Sequence, residues 1–313
     1  MASKQIVDVL LVPSTGGATL QGWDVRGDRI KLDDEIWIVW AGRINDYLPI
    51  DSKPIMDACE RPGYVDPPNA LHGHAHRGTR QYTAWYVLWN EQPAEVDRDK
   101  WDPDQRLTEF VVMSRLIHPT PLGFEYAARV EQWDEQLTIA PFDGVPAYTT
   151  QEPYYLTCTQ WKEAGNLVKL WRAMKAGCCE RIKSAIWYRE KVAQEYHLEV
   201  RWSLLVTAIE SLTSEWVTKK KSGERFGKGV TKLASEIGVA ISSHDADVAW
   251  KRRSSLVHGQ GWPSGKAPVD AKSDRSYRCF ENLLDKTLRR LIEEPTFRCN
   301  FENDRALTAW LSN

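Results

Sequence analysis

Arg253 and His258 are the side chains of this sequence whose types and spacing are best suited to chemistry. Four residues separate them within the run W-K-R-R-S-S-L-V-H-G, which spans residues 250–259. A histidine transfers protons at neutral pH because its ordinary pKa is about 6.5. An arginine binds two phosphate oxygens at once through its planar guanidinium. The pair therefore predicts proton transfer beside a bound anion, at a helix end that a glycine is expected to terminate.

Helices must position this pair, because the second half of the chain follows helical periodicity and has no proline between residues 162 and 215. Two apolar stripes stand out: Leu167, Leu170, Trp171 and Met174, then Leu198, Trp202, Leu205, Val206, Ile209 and Leu212. Further helices are predicted near Arg225–Ile237, from Ser243 or His244 to Val257, and over Ser273–Glu293. The second half is thus predicted to be an all-α bundle of about five helices with a short tail helix.

The run R-S-S-L-V-H-G resembles the HEPN superfamily, and the ApeA-like branch is the most similar. The helix L-L-V-T-A-I-E-S-L, Leu204–Leu212, lies some forty residues upstream, in the order that the family shows. The resemblance covers roughly residues 160–295. It implies a metal-independent endoribonuclease in which Arg253 and His258 act together on RNA. In that chemistry, His258 is the general base or acid and Arg253 clamps the phosphate.

The spacing of the pair also bears on the oligomeric state. Five helical steps of about 100° place Arg253 and His258 roughly 140° apart around the axis, whereas Ser254 and His258 share a face. A site built where two copies of this helix end meet presents both groups better, and HEPN domains are in general dimers of that kind. We expect a homodimer through the α domain. Ser254 fills the family's polar place after the arginine, and Glu210 matches its upstream acidic residue and is expected to orient Arg253.

Basic residues near the motif predict an anionic partner. They are Lys251 and Arg252 in the same helix and Lys219, Lys220 and Lys221 in a predicted loop. Residues 1–156 hold 14 Lys and Arg against 24 Asp and Glu, whereas residues 157–313 hold 27 against 19. The expected partner is RNA, either tRNA or mRNA, bound with a salt-dependent affinity.

Each of these residues also has an ordinary structural interpretation. His258 could interact with the C-terminal carbonyl groups and the dipole of its helix. Arg253 could form a surface ion pair, Glu210 could be its structural partner, and Ser254 could be a plain helix residue. The lysine loop could simply be solvated. A HEPN domain without catalysis would then serve as an RNA-binding or assembly module.

The first half of the chain reads as short strands between turns rich in Gly and Pro. The strand candidates are Ile6–Val12, Glu35–Ala41, Gln81–Trp89 and Glu109–Ile117. The predicted fold class is therefore α+β with two domains. An acidic, mainly β domain resembling a sandwich or barrel covers residues 1–155 and is expected to be a sensor or regulator. An all-α HEPN helical bundle covers residues 156–313.

Three histidines in the first half form a competing candidate site. His72, His74 and His76 would project from one face of a strand, and three imidazoles can bind zinc. No carboxylate lies within five residues of them, and the stretch 67–78 is rich in turn formers, which favours a loop. Our prediction for the chain is therefore no metal and no cofactor. A metal-dependent hydrolase centred on these histidines is the weaker functional alternative.

The composition argues against a membrane protein and against a disulfide framework. No window reaches the ~18 apolar residues of a membrane span, and the N-terminal run lacks the apolar core of a secretory signal. Six cysteines without a C-x-x-C pair, including the adjacent Cys178 and Cys179, predict reduced thiols. We expect a cytoplasmic protein. The HEPN resemblance implies an RNA-cleaving toxin or effector in anti-phage defence, with a phage-derived or cellular trigger.

Overall fold

The chain divides into two compact units. One comprises Met1–Val111, Leu122–Pro146 and Tyr155–Gly165, and the other comprises Val112–Pro121, Ala147–Tyr154 and Asn166–Asn313. The predicted domain boundary at residue 155 stays a prediction. The computed structural model describes the backbone of residues 5–14, 30–31, 36–40, 81–90, 103–118, 126–133, 136–143, 158–195, 197–214, 222–258 and 274–312. It describes side chains for residues 109–118, 159–195, 197–214, 223–258 and 274–312.

Within the described residues, six strands form one antiparallel sheet in the order β2-β3-β4-β1-β5-β6. They are β1 Gln5–Ser14, β2 Ile30–Lys31, β3 Ile36–Trp40, β4 Gln81–Asn90, β5 Tyr126–Trp133 and β6 Gln136–Asp143. Along the β1–β4 pair, Ile6 lies opposite Asn90, and the register shifts between Val12 and Pro13. Proline has no N–H to donate to a neighbouring strand, so an irregularity at that position is expected.

The predicted fold class is wrong. Among the residues from 109 to 312 whose side chains are described, the regular structure is helical and no strand occurs. The described strands form one sheet whose end strands, β2 and β6, do not pair with each other, so they make neither a sandwich nor a closed barrel.

One error lies in the segment Glu109–Ile117, which was predicted to be a strand. It belongs to helix α1, Pro103–Ile117. Proline is favoured in the first turn of a helix, where its missing N–H has no partner to lose. The run from Phe110 to Met113 is almost completely buried. A short apolar run that is buried on all sides has no period by which a strand and a helix can be distinguished.

The described elements of the second half are helical. They are α2 Cys158–Lys175, α3 Glu180–Gln194, α4 Leu198–Thr213, α5 Ser222–Ile237, α6 Ser243–Val257, α7 Arg275–Glu293, α8 Pro295–Arg298, a 3₁₀ turn Cys299–Phe301 and α9 Asp304–Ser312. These helices are consistent with an all-α C-terminal part. Within the described part of the chain, no helix combines the length and the apolar character that a membrane crossing needs.

Local signals determine where the helices begin and end. The Asp245 N–H donates to the Ser242 hydroxyl at 3.1 Å, and the Asp245 carboxylate accepts from the Ser242 N–H, which makes a capping box at the start of α6. Asp274 caps α7 by accepting the Tyr277 N–H at 3.1 Å. Gly238 follows α5 with φ of +72°, a left-handed conformation that glycine adopts without steric strain.

The core of the helical unit uses the predicted stripe of α4 in full. Leu198, Trp202, Leu205, Val206, Ile209 and Leu212 are all buried. Trp202 packs edge-on against Tyr277 of α7, with ring centres 5.4 Å apart. The stripe of α2 is only partly correct, because Leu167 and Trp171 are buried but Leu170 is 45% exposed.

Candidate active site

The motif helix α6 places its C-terminal turn at the protein surface. Its buried residues are Ala246 and Ala249, both in the first half of the helix. The helix ends at Val257, and His258 occupies the C-cap, where its backbone N–H donates to the Ser254 carbonyl at 3.0 Å. Val257 is 54% exposed, and His258 is exposed as well. The predicted terminating glycine, Gly259, lies outside the described residues.

Arg253 is held by one acid and one aromatic ring. Its Nη2 lies 3.7 Å from Oε2 of Glu210 in α4, and the two side chains are 25% and 24% exposed. The guanidinium carbon lies 5.4 Å from the centre of the Trp250 ring, a distance typical of a cation–π contact. The Nε of Arg253 is buried without a hydrogen-bond partner in the part of the protein that the structure describes. The guanidinium is therefore positioned by these two contacts, and its side chain stays partly exposed.

Helix α5 in turn supports Trp250. The Phe226 ring packs on the indole with ring centres 5.3 Å apart and an interplanar angle of 38°. A Cβ atom on Gly223 would lie 2.8 Å from the indole Nε1, which is closer than real Cβ contacts allow. The absence of a side chain at Gly223 thus lets α5 approach the ring that lies against Arg253.

Glu210 brings a partly buried carboxyl group to the arginine. Burial raises the pKa of Glu210, and the charge of Arg253 opposes that shift without cancelling it. The pKa stays raised because the two side chains are 3.7 Å apart. An ion pair at that distance is stabilised less than a short, hydrogen-bonded pair. The acid therefore orients the arginine but neutralises its charge only in part.

The structure brings some of the predicted site residues together and leaves others apart. Glu210 meets Arg253, as expected from the resemblance. Ser254 meets His258 through the backbone, as their helical spacing predicts. Among the described contacts, none joins Arg253 to His258, in agreement with their separation around the helix. We name Glu210, Arg253 and His258 the motif end.

The predicted RNA-binding residues have different surroundings. Lys251 is 69% exposed and pairs with Asp247 one turn earlier at 2.6 Å. Arg252 stacks on the Trp202 ring at 4.7 Å and donates to Oδ2 of Asp274 at 3.0 Å. Lys219, Lys220 and Lys221 lie outside the described residues. The role of these five residues in RNA binding stays a prediction.

His72, His74 and His76 lie outside the described residues. Among the residues that are described, no group of three or more His, Cys, Asp or Glu side chains is arranged to hold a metal ion. The zinc alternative stays a prediction.

A cluster of buried charges was missed by the interpretation of the sequence. We name it the core ion cluster: Arg189, Arg201, Tyr277, Glu281 and Asp285, none of which is more than 6% exposed. Arg189 of α3 donates from Nε and Nη2 to the two carboxylate oxygens of Asp285 in α7, the second at 2.9 Å. This bidentate geometry is the strongest form of an arginine–carboxylate pair.

The rest of the core ion cluster extends from Glu281. Its Oε1 lies 3.7 Å from Nη2 of Arg189 and 3.5 Å from Nη2 of Arg201 in α4. The Nε of Arg201 donates to the Tyr277 hydroxyl at 3.1 Å. Burial raises the pKa of Tyr277, and Glu281 adds to the shift. Burial acts to lower the pKa of Arg189, but attraction to Asp285 raises it overall. The cluster joins α3, α4 and α7 in the interior.

Comparison of the chain with protein-family models, with curated proteins and with solved structures finds no match. The HEPN resemblance therefore stays a prediction from the motif residues.

Proposed function

We propose that the helical unit is a metal-independent endoribonuclease whose site is the motif end. The observation that supports the proposal most is the combination of two features on one helix. Arg253 is positioned by Glu210 and Trp250 while it remains a quarter exposed, and His258 is exposed at the C-cap of the same helix.

The proposed reaction needs one proton acceptor and one anion clamp. His258 takes the proton of a ribose 2′-OH, and the 2′-oxygen attacks the adjacent phosphorus. The bond from phosphorus to the 5′-oxygen breaks, which leaves a 2′,3′-cyclic phosphate, and the 5′-oxygen takes a proton from water to become a 5′-hydroxyl. Arg253 holds the non-bridging oxygens while negative charge develops on them. No metal ion takes part in these steps.

The proposal includes two copies of the chain. Arg253 and His258 of one helix lie roughly 140° apart around its axis and cannot both face one phosphate from a straight helix. Across a two-fold axis, Arg253 of one copy and the second copy's histidine at the same position can face the same phosphodiester. We therefore propose that the protein is a homodimer. As the HEPN resemblance implies, it acts as a toxic effector in anti-phage defence by cleaving RNA.

A binding module is the second candidate function. It is favoured by the pairing of Arg253 with Glu210, because a partly neutralised arginine suits a structural or RNA-positioning role as well as a catalytic one. In that case the chain binds RNA with a salt-dependent affinity and leaves it intact.

The test compares the wild type with His258→Ala and His244→Ala. His244 lies in the first turn of the same helix and is also exposed, so its replacement is a matched control. The proteins are incubated with total RNA and tRNA in EDTA. We expect His258→Ala to lose about 10²–10⁴-fold in cleavage rate. His244→Ala should keep the parental rate. The free energy of unfolding of both variants should lie within about 0.5 kcal/mol of the wild-type value.

Three results would decide against the nuclease. If His258→Ala cuts RNA at the parental rate, His258 has no catalytic role. Intact RNA with the wild type, together with a shift of the RNA on a gel, would favour the binding module. Cleavage that requires metal and stops in EDTA would favour the histidines at positions 72, 74 and 76. Toxicity of the wild type, but not of His258→Ala, on expression in a bacterium would support the effector role.

A further inference from the structure

One indole on the surface of α3 is exposed to solvent. Trp187 is 55% exposed, the highest value among the large hydrophobic side chains that the structure describes. Tryptophan is buried to a large extent in most proteins. The ring of its half-buried neighbour Tyr188 meets the indole at 77°, with ring centres 5.0 Å apart. Because the two rings are nearly perpendicular, they do not stack on each other, and the indole keeps exposed ring surface.

Two lysines lie one helical turn before and one turn after Trp187. Lys183 and Lys191 share its face of α3, because residues four apart are neighbours on a helix. Lys183 forms an ion pair with Glu180 at 2.8 Å. Lys191 instead donates to the neutral amide oxygen of Gln194 at 2.9 Å, and its Nζ lies 5.7 Å from the centre of the Trp187 ring. Lys191 forms no ion pair within the described part of the chain, so its charge is not neutralised by an acid.

A chain of hydrogen bonds anchors Lys191 to the interior. The amide nitrogen of Gln194 donates to Oε1 of Glu190 at 2.9 Å. The other carboxylate oxygen of Glu190 accepts from Arg115 of α1, and both residues of this ion pair are buried. A lysine side chain loses much rotamer freedom when it is ordered. Since Gln194 is bound to a buried ion pair, Lys191 is already ordered beside the indole before a ligand arrives.

We propose that Trp187 and Lys191 form a binding site for one nucleotide of a single-stranded RNA, in which a base stacks on the indole and Lys191 contacts a phosphate. RNA as the partner rests on the proposed function, and the new site lies outside the motif end. Stacking on an aromatic side chain tolerates any sequence, because every base has a flat π face. The site therefore selects unpaired segments over a duplex, whose bases already stack on each other.

A nucleotide matches these two groups better than a protein or a membrane surface does. It carries a flat base and an anionic phosphate, which complement an exposed indole and a lysine without an acidic partner. The cores of protein interfaces are depleted in lysine, and a second copy would have to supply both an apolar pocket and a carboxylate. Helices that lie on membranes bury a broad apolar face, whereas lysines stand on both sides of Trp187 along its face of α3.

The test measures binding of the intact protein to a fluorescein-labelled oligo(U) of about 12 nucleotides by fluorescence anisotropy. Methyl groups on its 2′-oxygens prevent the proposed cleavage, so binding is measured without it. We expect Trp187→Ala to weaken binding about tenfold, because one base loses its stacking partner, and Trp187→Phe to restore most of the affinity. Leu170→Ala is the matched control, because Leu170 is 45% exposed in the same unit, and it should bind like the wild type. A duplex of the same strand with oligo(A) should not distinguish Trp187→Ala from the wild type.

The part played by Lys191 is tested by salt dependence. Lys191→Ala should reduce the slope of the logarithm of affinity against the logarithm of salt concentration by about 0.7, the value for one phosphate contact on a single strand. Lys228→Ala is the control, because Lys228 of α5 is 72% exposed and pairs with Glu224 at 3.8 Å. It should leave the slope unchanged. Equal slopes in Lys191→Ala and the wild type would remove the phosphate contact from the proposal.

Three results would overturn the site. They are no binding of the methylated strand by the wild type, an unchanged affinity in Trp187→Ala, and an equal loss of affinity for strand and duplex in that variant. Conversion of a dimer into a monomer by Trp187→Ala in light scattering would assign the indole to a contact between copies and would overturn it too. Failure of the nuclease is separate: binding through Trp187 without cleavage of unmodified oligo(U) would leave this site in place. Cleavage that depends on His258, with an unchanged affinity in Trp187→Ala, would leave the nuclease and remove this site.

Discussion

The core ion cluster and the motif end use the same residue types in opposite ways. In the cluster, Arg189 and Asp285 are both under 7% exposed and share two hydrogen bonds. At the motif end, Arg253 and Glu210 are each about a quarter exposed, and the pair is 3.7 Å apart. The first arginine is committed to its partners, whereas the second is a quarter exposed, and its buried Nε has no hydrogen-bond partner in the described part of the chain. Residue type alone therefore does not separate a structural arginine from one available to a ligand.

The difference has a physical origin in solvation. A buried charge without a partner is destabilising by several kcal/mol, so interior pairs persist only when geometry and hydrogen bonding are nearly ideal. A partly exposed charge is solvated by water and can be paired loosely at little cost. Under the proposed function, the looser pair is the one that an incoming phosphate rearranges. The comparison predicts large stability effects in the core ion cluster and small ones at the motif end.

Removal of one partner from the core ion cluster should have the largest effect. Among the described residues, Asp285→Ala leaves the buried charge of Arg189 with the more distant acid Glu281 at 3.7 Å. We expect the free energy of unfolding to fall by about 3–5 kcal/mol in urea denaturation. Asp247→Ala is the matched control, because its partner Lys251 is exposed, and it should change stability by less than about 0.5 kcal/mol. If the two variants lost similar free energies of unfolding, the predicted difference between the buried and the exposed ion pair would be wrong.

A smaller effect is expected at Asp274, which connects α6 to the core. Its carboxylate accepts from Trp202 at 3.1 Å and from Arg252 at 3.0 Å, and it caps α7. Asp274→Ala should cost about 2–3 kcal/mol, since a cap and a charge-assisted bond are both lost. Asp274→Asn can keep the cap through its amide oxygen, but its NH2 group then replaces the oxygen that accepts from Trp202 and Arg252, so its loss should be smaller only by the contribution of the cap. If the two variants lose equal stability, the contacts with Trp202 and Arg252 carry the effect and the cap adds little.

The helices around the motif end were easier to predict from the sequence than the core ion cluster. The apolar stripe of α4 is buried as its period predicts, and α6 spans Ser243–Val257 as predicted, because burial follows from residue type and spacing. The meeting of Glu210 with Arg253 followed from the family resemblance. The distance between the two side chains could not be predicted, because it depends on how α4 and α6 pack.

The core ion cluster had a weak signal that periodicity arguments overlook. Arg201 falls between Leu198 and Leu205 on the buried face of α4, and Asp285 follows Leu284 on α7. A charge on an apolar face predicts a buried partner. One sequence cannot identify that partner, because the paired residues lie up to almost a hundred positions apart along the chain. The strand predicted at Glu109–Ile117 failed for a related reason, because an apolar run buried on all sides has no diagnostic period.

The smallest effect, and the one that most sharpens the comparison, is expected at Glu210. Its folded pKa is raised because burial outweighs the attraction of Arg253. The folded chain thus binds this proton more tightly than the unfolded chain, so the contribution of Glu210 to stability is fully present below its ordinary pKa of 4.5 and is lost as pH rises through the folded pKa. Glu210→Gln mimics the protonated acid. It should be more stable than the wild type at pH 7, and urea denaturation should show the gap closing as pH falls below 4.5.

Asp245→Asn is the matched control for that titration and should behave in the opposite sense. Hydrogen bonds from Ser242 lower the pKa of Asp245, so its stabilising contribution is present above its ordinary pKa of 3.8 and is lost on acidification. Asp245→Asn should therefore be less stable than the wild type at pH 7 and equal to it in strong acid. If Glu210→Gln instead follows Asp245→Asn and destabilises the protein at pH 7, attraction outweighs burial. Arg253 would then be bound as firmly as Arg189, and the motif end would be a second structural ion pair rather than a site open to phosphate.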